Sequence, residues 1–332
     1  MHIFQFNSVI LPPFSEEPVS DMRVGKWFRD NYDNMQKYRS LVLPVAIVVG
    51  LFFHHWLAMM RPVVPFLLFI ILFLNFSAVE IRKLRLSPMH GWMLLFQAVV
   101  SLGGYLALRP FDELLAQGVL IGVLSPVAAS VVVVACMLGA DRGTITAYSL
   151  VGNFAIALLA PLYFSFIGTQ VDLPFHQSFL MVLSKIGPTN LLPLVIVILL
   201  QWLAPKANDF VARFKGWSFY LWAAALMITI GQTIDFIYLH GKGNWRSIIW
   251  LSVASLIGCA VQFGVGRLIG RRYGDRIAGG QGLGQRNTAL AIWMAGMYLQ
   301  PLAAIFPAAY AVWQNLYNSF QLWQHDRRTG RE

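Results

Sequence analysis

The chain is short of charge. Only 12% of its 332 residues are Asp, Glu, Lys or Arg, and the acidic share is 15 residues against 25 basic ones. A water-soluble domain carries about 25% charged residues, so a solvated surface around the whole chain is excluded. Cysteine is equally scarce: the two, Cys136 and Cys259, sit inside apolar runs, which excludes a disulfide framework and assigns them to packing. Paired acids, HxxxD, HExxH and Ser/His/Asp groupings are missing from the apolar segments, which argues against an enzyme acting on lipids. Gly264-Val265-Gly266 and the run Gly279 to Gly284 follow no strand, so neither makes a nucleotide-binding loop. Residues 1–39 lack the continuous apolar stretch of a signal peptide and carry Glu16, Glu17 and Asp21 where such a segment is uncharged.

What the chain has in abundance is apolar sequence: 57% of residues are hydrophobic, in runs that repeatedly reach the roughly 20 residues needed to cross a bilayer. The pattern predicts an all-α integral membrane protein with ten transmembrane helices, at about 40–58, 63–81, 90–108, 113–139, 143–168, 178–204, 217–239, 247–270, 276–300 and 301–323. Ahead of them, Val24, Trp27, Phe28, Tyr32, Met35 and Tyr38 recur at helical spacing among Arg23, Lys26, Arg29 and Lys37, which predicts an interfacial helix within a cytoplasmic segment 1–39. Residues 324–332 read as a cytoplasmic tail. With the N-terminus inside, the inner segments hold nineteen Lys and Arg and the outer segments five, leaving Arg286 in neither set. That asymmetry supports an even number of spans, both termini in the cytoplasm and a place in the inner or plasma membrane. It also explains the net charge of +10 by orientation in a lipid bilayer rather than by nucleic acid.

The spans repeat. Those from two to five and from seven to ten begin about 154 to 163 residues apart, and Pro44 in the first answers Pro193 in the sixth. Five is odd, so the second half, 178–323, must insert upside down relative to the first, 40–168. Both halves are interrupted in their fourth member. Ser125-Pro126 breaks span four, since proline removes a donor and disfavours helix in the residue before it. In span nine, Ala278-Gly-Gly-Gln-Gly-Leu-Gly-Gln-Arg-Asn-Thr288 puts Gly279, Gly280, Gly282 and Gly284 beside Gln281, Gln285, Arg286 and Asn287, and predicts unwinding over Gly280 to Gln285. Interrupted helices at matching positions of inverted repeats mark a secondary transporter's binding site. An Arg within a span is costly and marks a functional site when it occurs. Asp235, near the end of span seven, reads as a gate or proton site, or as a partner of Lys242 or Arg246.

Ten spans in two inverted halves, a broken fourth and a ninth ending in a Gly-x-Gln-Asn-like motif resemble the bile acid:sodium symporter family. The resemblance covers about residues 40 to 323, most closely Gly282-Leu-Gly-Gln-Arg-Asn-Thr-Ala-Leu290 and, more loosely, Ser125 to Ala160. It implies alternating-access transport of bile acids, other organic anions or small carboxylates and sulfonates, with broken helices four and nine crossing. For the possible Na+ it implies Gln97, Thr144, Thr146, Ser149, Gln281 and Gln285 as ion-binding candidates, and for a small organic anion Ser125, Ser130, Arg286 and Asn287 as substrate-binding candidates. The chain departs from the family where Gln281 stands in place of a Glu and where Arg286 precedes Asn287. Losing a carboxylate and adding a guanidinium raises the local charge, and two like charges about 4 Å apart repel by roughly 4 kcal/mol at an effective dielectric near 20. A fixed Arg can itself play the cation's part toward a carboxylate. Auxin-efflux-type and arsenite carriers share the ten-span plan, the latter with a thiol in span four where Cys136 lies. A non-transporting membrane sensor on the same fold is the further alternative.

Overall fold

The computed structural model describes residues 45, 48–79, 81, 84, 86–167, 174, 176–177, 180–181, 184, 191–240 and 243–329. Among these the chain is helical, with one isolated antiparallel bridge. We number the α-helices α1 (His54–Met59), α2 (Val64–Ser77), α3 (Pro88–Leu108), α4 (Glu113–Leu124), α5 (Val131–Met137), α6 (Arg142–Ile167), α7 (Leu192–Leu203), α8 (Pro205–Ala212), α9 (Ser218–His240), α10 (Trp245–Arg272), α11 (Arg276–Gly284), α12 (Thr288–Tyr298) and α13 (Ile305–Thr329). Among the described residues four helical stretches are long and apolar enough to cross a membrane: α3, α6, the run Pro205–Phe236 and α10. Shorter apolar helices cover Arg61–Ser77, Glu113–Leu124, Leu192–Leu203 and Thr288–Tyr298.

Helix starts follow local chemistry. Pro88 opens α3 behind Ser87, whose hydroxyl accepts from Met89 N at 3.2 Å while His90 Nδ1 accepts from Ser87 N at 3.3 Å, a reciprocal cap. Asp112 caps α4 through Leu115 N at 2.9 Å, and Asp275 caps α11 through Ala278 N at 2.7 Å. At the head of α6, Asp141 accepts from the amide and the hydroxyl of Thr144, both at 2.7 Å.

The helices sort into two packed groups. In one, α9 lies against α1 and α2, and α2 against α7 and α8. In the other, α10 packs on α11, α13 and α4, while α3, α5 and α6 close round α11. The groups meet where α9 touches α13 and α5. Contact between α10 and α11 is unusually close because it is made of glycine: a Cβ on Gly279 would collide with the carbonyl of Gly266, and one on Gly270 would collide with the carbonyl of Asp275. Two backbones can approach this closely only where neither carries a side chain.

One expectation changes. The glycines Gly279 to Gly284 do not unwind; they stay in α11, where they admit α10, and the break falls one step later at Gln285–Asn287. The segment after α7 folds as α8 and a 3₁₀ turn, Arg213–Trp217. At the other end α13 runs on through Thr329, with Asp326 buried. The interfacial helix within 1–39 and much of the expected sixth span lie outside the described residues.

Candidate functional site

Two helices stop and restart, and their gaps face each other. The first runs from α4 to α5: Ser125, ahead of Pro126, takes extended geometry (φ −56°, ψ 145°), as the proline dictates. The second runs from α11 to α12, with Gln285 extended (φ −92°, ψ 111°) and Asn287 restarting the helix through its side chain, which accepts from Leu290 N at 3.1 Å. Val127 and Arg286 form the antiparallel bridge between the gaps. Ala128 N donates to Gln285 O at 3.1 Å, and Asn287 N donates to Pro126 O at 2.8 Å. Each gap therefore supplies the partners that the other lacks, which is how unwound backbone is tolerated away from water.

Side chains from the neighbouring helices complete the accounting. Asn153 on α6 accepts from Val127 N at 2.8 Å. Gln314 on α13 accepts from Arg286 N at 2.8 Å and donates to Arg286 O at 3.2 Å. Gln97 on α3 donates to Ser125 O at 2.8 Å and to Leu124 O at 3.2 Å. Tyr310 on α13 donates to Gly284 O at 2.8 Å.

Among the described residues Arg286 is the largest fully buried side chain, 1% exposed. Its Nε donates to Gln262 Oε1 at 2.8 Å and its Nη1 to Ser125 O at 3.2 Å, while Nη2 has no partner. Among the described residues no carboxylate pairs with it. Its charge is met instead by the Ser125 carbonyl at the C-terminal end of α4, whose last carbonyls carry about half a negative charge. Gln262 also donates to Tyr310 Oη at 3.1 Å, tying the guanidinium to the rest of the network.

The candidate residues divide. Gln97, Ser125, Arg286 and Asn287 come together at the crossing, although Ser125 contributes its carbonyl, its hydroxyl being donated to Gly122 O at 3.1 Å. Ser130 begins a second chain: its hydroxyl donates to Gln285 Oε1 at 3.4 Å, Gln285 donates to Gln281, and Gln281 donates to Gln321 Oε1 at 3.3 Å, where Arg267 also donates. Thr144 sits apart, committed to Asp141 at the head of α6, nine residues or about 13 Å along the helix from Asn153. Thr146 and Ser149 are buried on the face of α6 that carries Asn153, their hydroxyls without partners. Asp235 pairs with His54 at 3.0 Å and approaches His55 at 3.7 Å; Arg246 is not its partner, and Lys242 lies outside the described residues.

Gln262, Tyr310 and Gln314 escaped the sequence reading. A signal was present: Gln262 and Gln314, like Gln97 and Asn153, are amides inside apolar helices.

Beside the crossing, between the two helix groups, lies a cavity of about 60 Å³. Ser130, Asn287, Gln314 and Asn315 line it from one group, Trp222 and Thr229 from the other. It has room for a few waters, whereas drug-sized ligands occupy pockets of about 300–1,000 Å³. The crossing itself does not suit a sodium ion. The carbonyls of Ser125 and Gly284 already accept from protein donors, no carboxylate joins them, and a guanidinium stands among them. Comparison with protein-family models and with curated proteins finds no match.

Proposed function

We propose that the chain is a secondary transporter of small organic anions, working by alternating access between its two helix groups in the inner or plasma membrane. In this reading ten spans form two inverted five-helix repeats, with both termini in the cytoplasm. The group holding the crossing carries the substrate, and the group of α1, α2, α7 and α9 is the surface against which it moves. The observation that carries the proposal is the pairing of the two gaps at Val127 and Arg286, because broken helices at matching repeat positions are the hallmark of a transporter's substrate site. The substrate is an anion because the cavity at the crossing is bounded by the peptide of Arg286, by the N-terminus of α12 at Asn287 and Thr288, and by amide side chains, with no carboxylate among the residues that line it.

The buried guanidinium fills the role that a bound sodium ion has in the family the sequence resembles, so transport proceeds without a sodium gradient. Uptake of a bile salt, a short carboxylate and a short sulfonate into proteoliposomes, with sodium or with N-methylglucamine outside, tests both parts. Uptake of at least one anion above empty liposomes, unchanged on replacing sodium, is the expected result. Tens-fold stimulation by sodium would refute the cation role of Arg286, and no uptake under any condition would refute transport. One observation favours a second reading, a sensor that binds without transporting: the cavity is small and the crossing is heavily tied. Binding of the same anions without uptake would select it. The arsenite reading has less support, since Cys136 packs with the cluster around Met89, Val132 and Tyr148 and does not line the cavity.

A further inference from the structure

Away from the crossing, a larger cavity of about 470 Å³ opens on the flank of α10, walled by α13 and closed at one end by the start of α11. Along α10 its lining follows one helical face from Leu256 to Arg271. That is fifteen residues, or about 22 Å at 1.5 Å per residue. The face is divided by chemistry. From Leu256 to Gly264 it is apolar, over about 12 Å. From Arg267 on it is basic: Arg267 and Arg271 lie one turn apart on α10, and Arg276 joins them from α11. No carboxylate lines the cavity, and among the described residues none of the three arginines pairs with one.

The walls are held in place. Trp313 Nε1 donates to Ser252 O at 3.2 Å, Tyr317 meets the ring of Phe263 edge-on at 4.6 Å, and the Arg267 guanidinium lies 5.2 Å from the Tyr317 ring centre. Gly264 leaves the groove open, since a Cβ built there would meet nothing within 4 Å. Outward, Leu256, Val261 and Leu268 are exposed on a helix long and apolar enough to cross a membrane, so the groove's open side faces hydrocarbon.

We infer that this groove binds an anionic phospholipid, one acyl chain lying along Leu256 to Gly264 and the phosphate among Arg267, Arg271 and Arg276. The dimensions select a lipid. Half of a hydrocarbon core of about 30 Å is about 15 Å, close to the length of the apolar section, so the arginines fall at headgroup level. Arg271 and Arg276 are exposed there and free to reach a phosphate, and Arg267 is fixed by Gln321 and Tyr317. The charge selects an anionic headgroup, since basic pockets between spans recognise acidic lipids and each basic residue near an anionic surface adds about fivefold in affinity.

The test is native mass spectrometry of the full-length protein in neutral detergent, titrated with phosphatidylglycerol or phosphatidylcholine of identical chains. The wild type is expected to retain phosphatidylglycerol preferentially. Arg271→Gln and Arg276→Gln should each cut that preference about fivefold. Gly264→Phe starts from a Cβ that meets nothing within 4 Å, fills the groove and should abolish retention of both lipids, while circular dichroism and melting show that the variant remains folded. Equal retention of the two lipids by the wild type, or undiminished phosphatidylglycerol retention by a folded Gly264→Phe protein, would overturn the inference. So would displacement of the bound lipid by millimolar inorganic phosphate alone, which would assign the arginines to a free anion. Bile salts, added in place of lipid, identify a substrate groove if they are retained more tightly than phosphatidylglycerol, and that outcome also overturns it.

Discussion

Gln314 grips the peptide of Arg286 from both sides, its oxygen taking the amide N–H at 2.8 Å and its nitrogen giving to the carbonyl at 3.2 Å. Asn153 does half of this for Val127, the residue that faces Arg286 across the crossing. Replacing Gln314 by Leu leaves the buried Arg286 N–H unmet, at a cost of about 1–3 kcal/mol, while Arg286 O keeps the Thr288 amide at 3.0 Å. The melting temperature of Gln314→Leu should fall well below that of a variant at exposed Gln177, and an unchanged value would show that the crossing does not depend on this clasp.

Arg286 is anchored by Gln262 and the Ser125 carbonyl rather than by an acid, so its loss removes a charge and leaves the Gln262 oxygen empty, while Ser125 O keeps Gln97. Arg286→Ala should lose about 2–4 kcal/mol of stability, and Arg286→Lys should recover part of it while lacking the fork that reaches both partners. Low millimolar guanidinium chloride should raise the melting temperature of Arg286→Ala, whereas sodium chloride at equal concentration should not. Restoration by sodium instead would identify the pocket as an ordinary ion site.

Two glycines on neighbouring helices predict opposite outcomes. Gly279→Ala drives a methyl group into the Gly266 carbonyl and should cost at least the 1–3 kcal/mol typical of overpacking, with low yield of folded protein. Gly264→Ala meets open space inside α10 and should stabilise by about 0.5–1 kcal/mol through helix propensity. Melting of the two variants beside the wild type checks the contrast.

Asp141 supplies a pH dependence whose sign is fixed. The Thr144 hydroxyl, then the Thr144 amide, hold its carboxylate below the ordinary value. A depressed folded value contributes stability that is present above the unfolded value and lost as pH falls through the folded one. The melting temperatures of wild type and Asp141→Asn should therefore differ at neutral pH and converge below the usual carboxylate range. A constant gap down to strong acid would contradict the capping role.

The long apolar helices α3, α6 and α10 were legible in the sequence because a long apolar run is a local signal. Ser125-Pro126 announced the first gap for the same reason. The second gap was misplaced because four glycines look like unwinding when their neighbour is unknown, and their neighbour is the Gly266 face of α10. The burial of Arg286 could be inferred from its position in an apolar span, but its partners could not. Gln262 and Gln314 lie on other helices, and only the packing of α10 and α13 round the crossing brings them to it. Thr144 misled for the opposite reason: a hydroxyl near the head of a helix serves its own cap, a local role that the resemblance overrode.

The bridge between Val127 and Arg286 makes two distant stretches of sequence answerable to one another. Deleting a residue between Ser125 and Ser130 would turn α5 by about 100° relative to α4. It would also slide Pro126 O and Ala128 N off their partners at Asn287 and Gln285. No adjustment within the first gap restores that register, because its counterpart is spelled out in the other half of the chain. The two gaps can therefore change length only in concert, and a lineage that alters one without the other loses both.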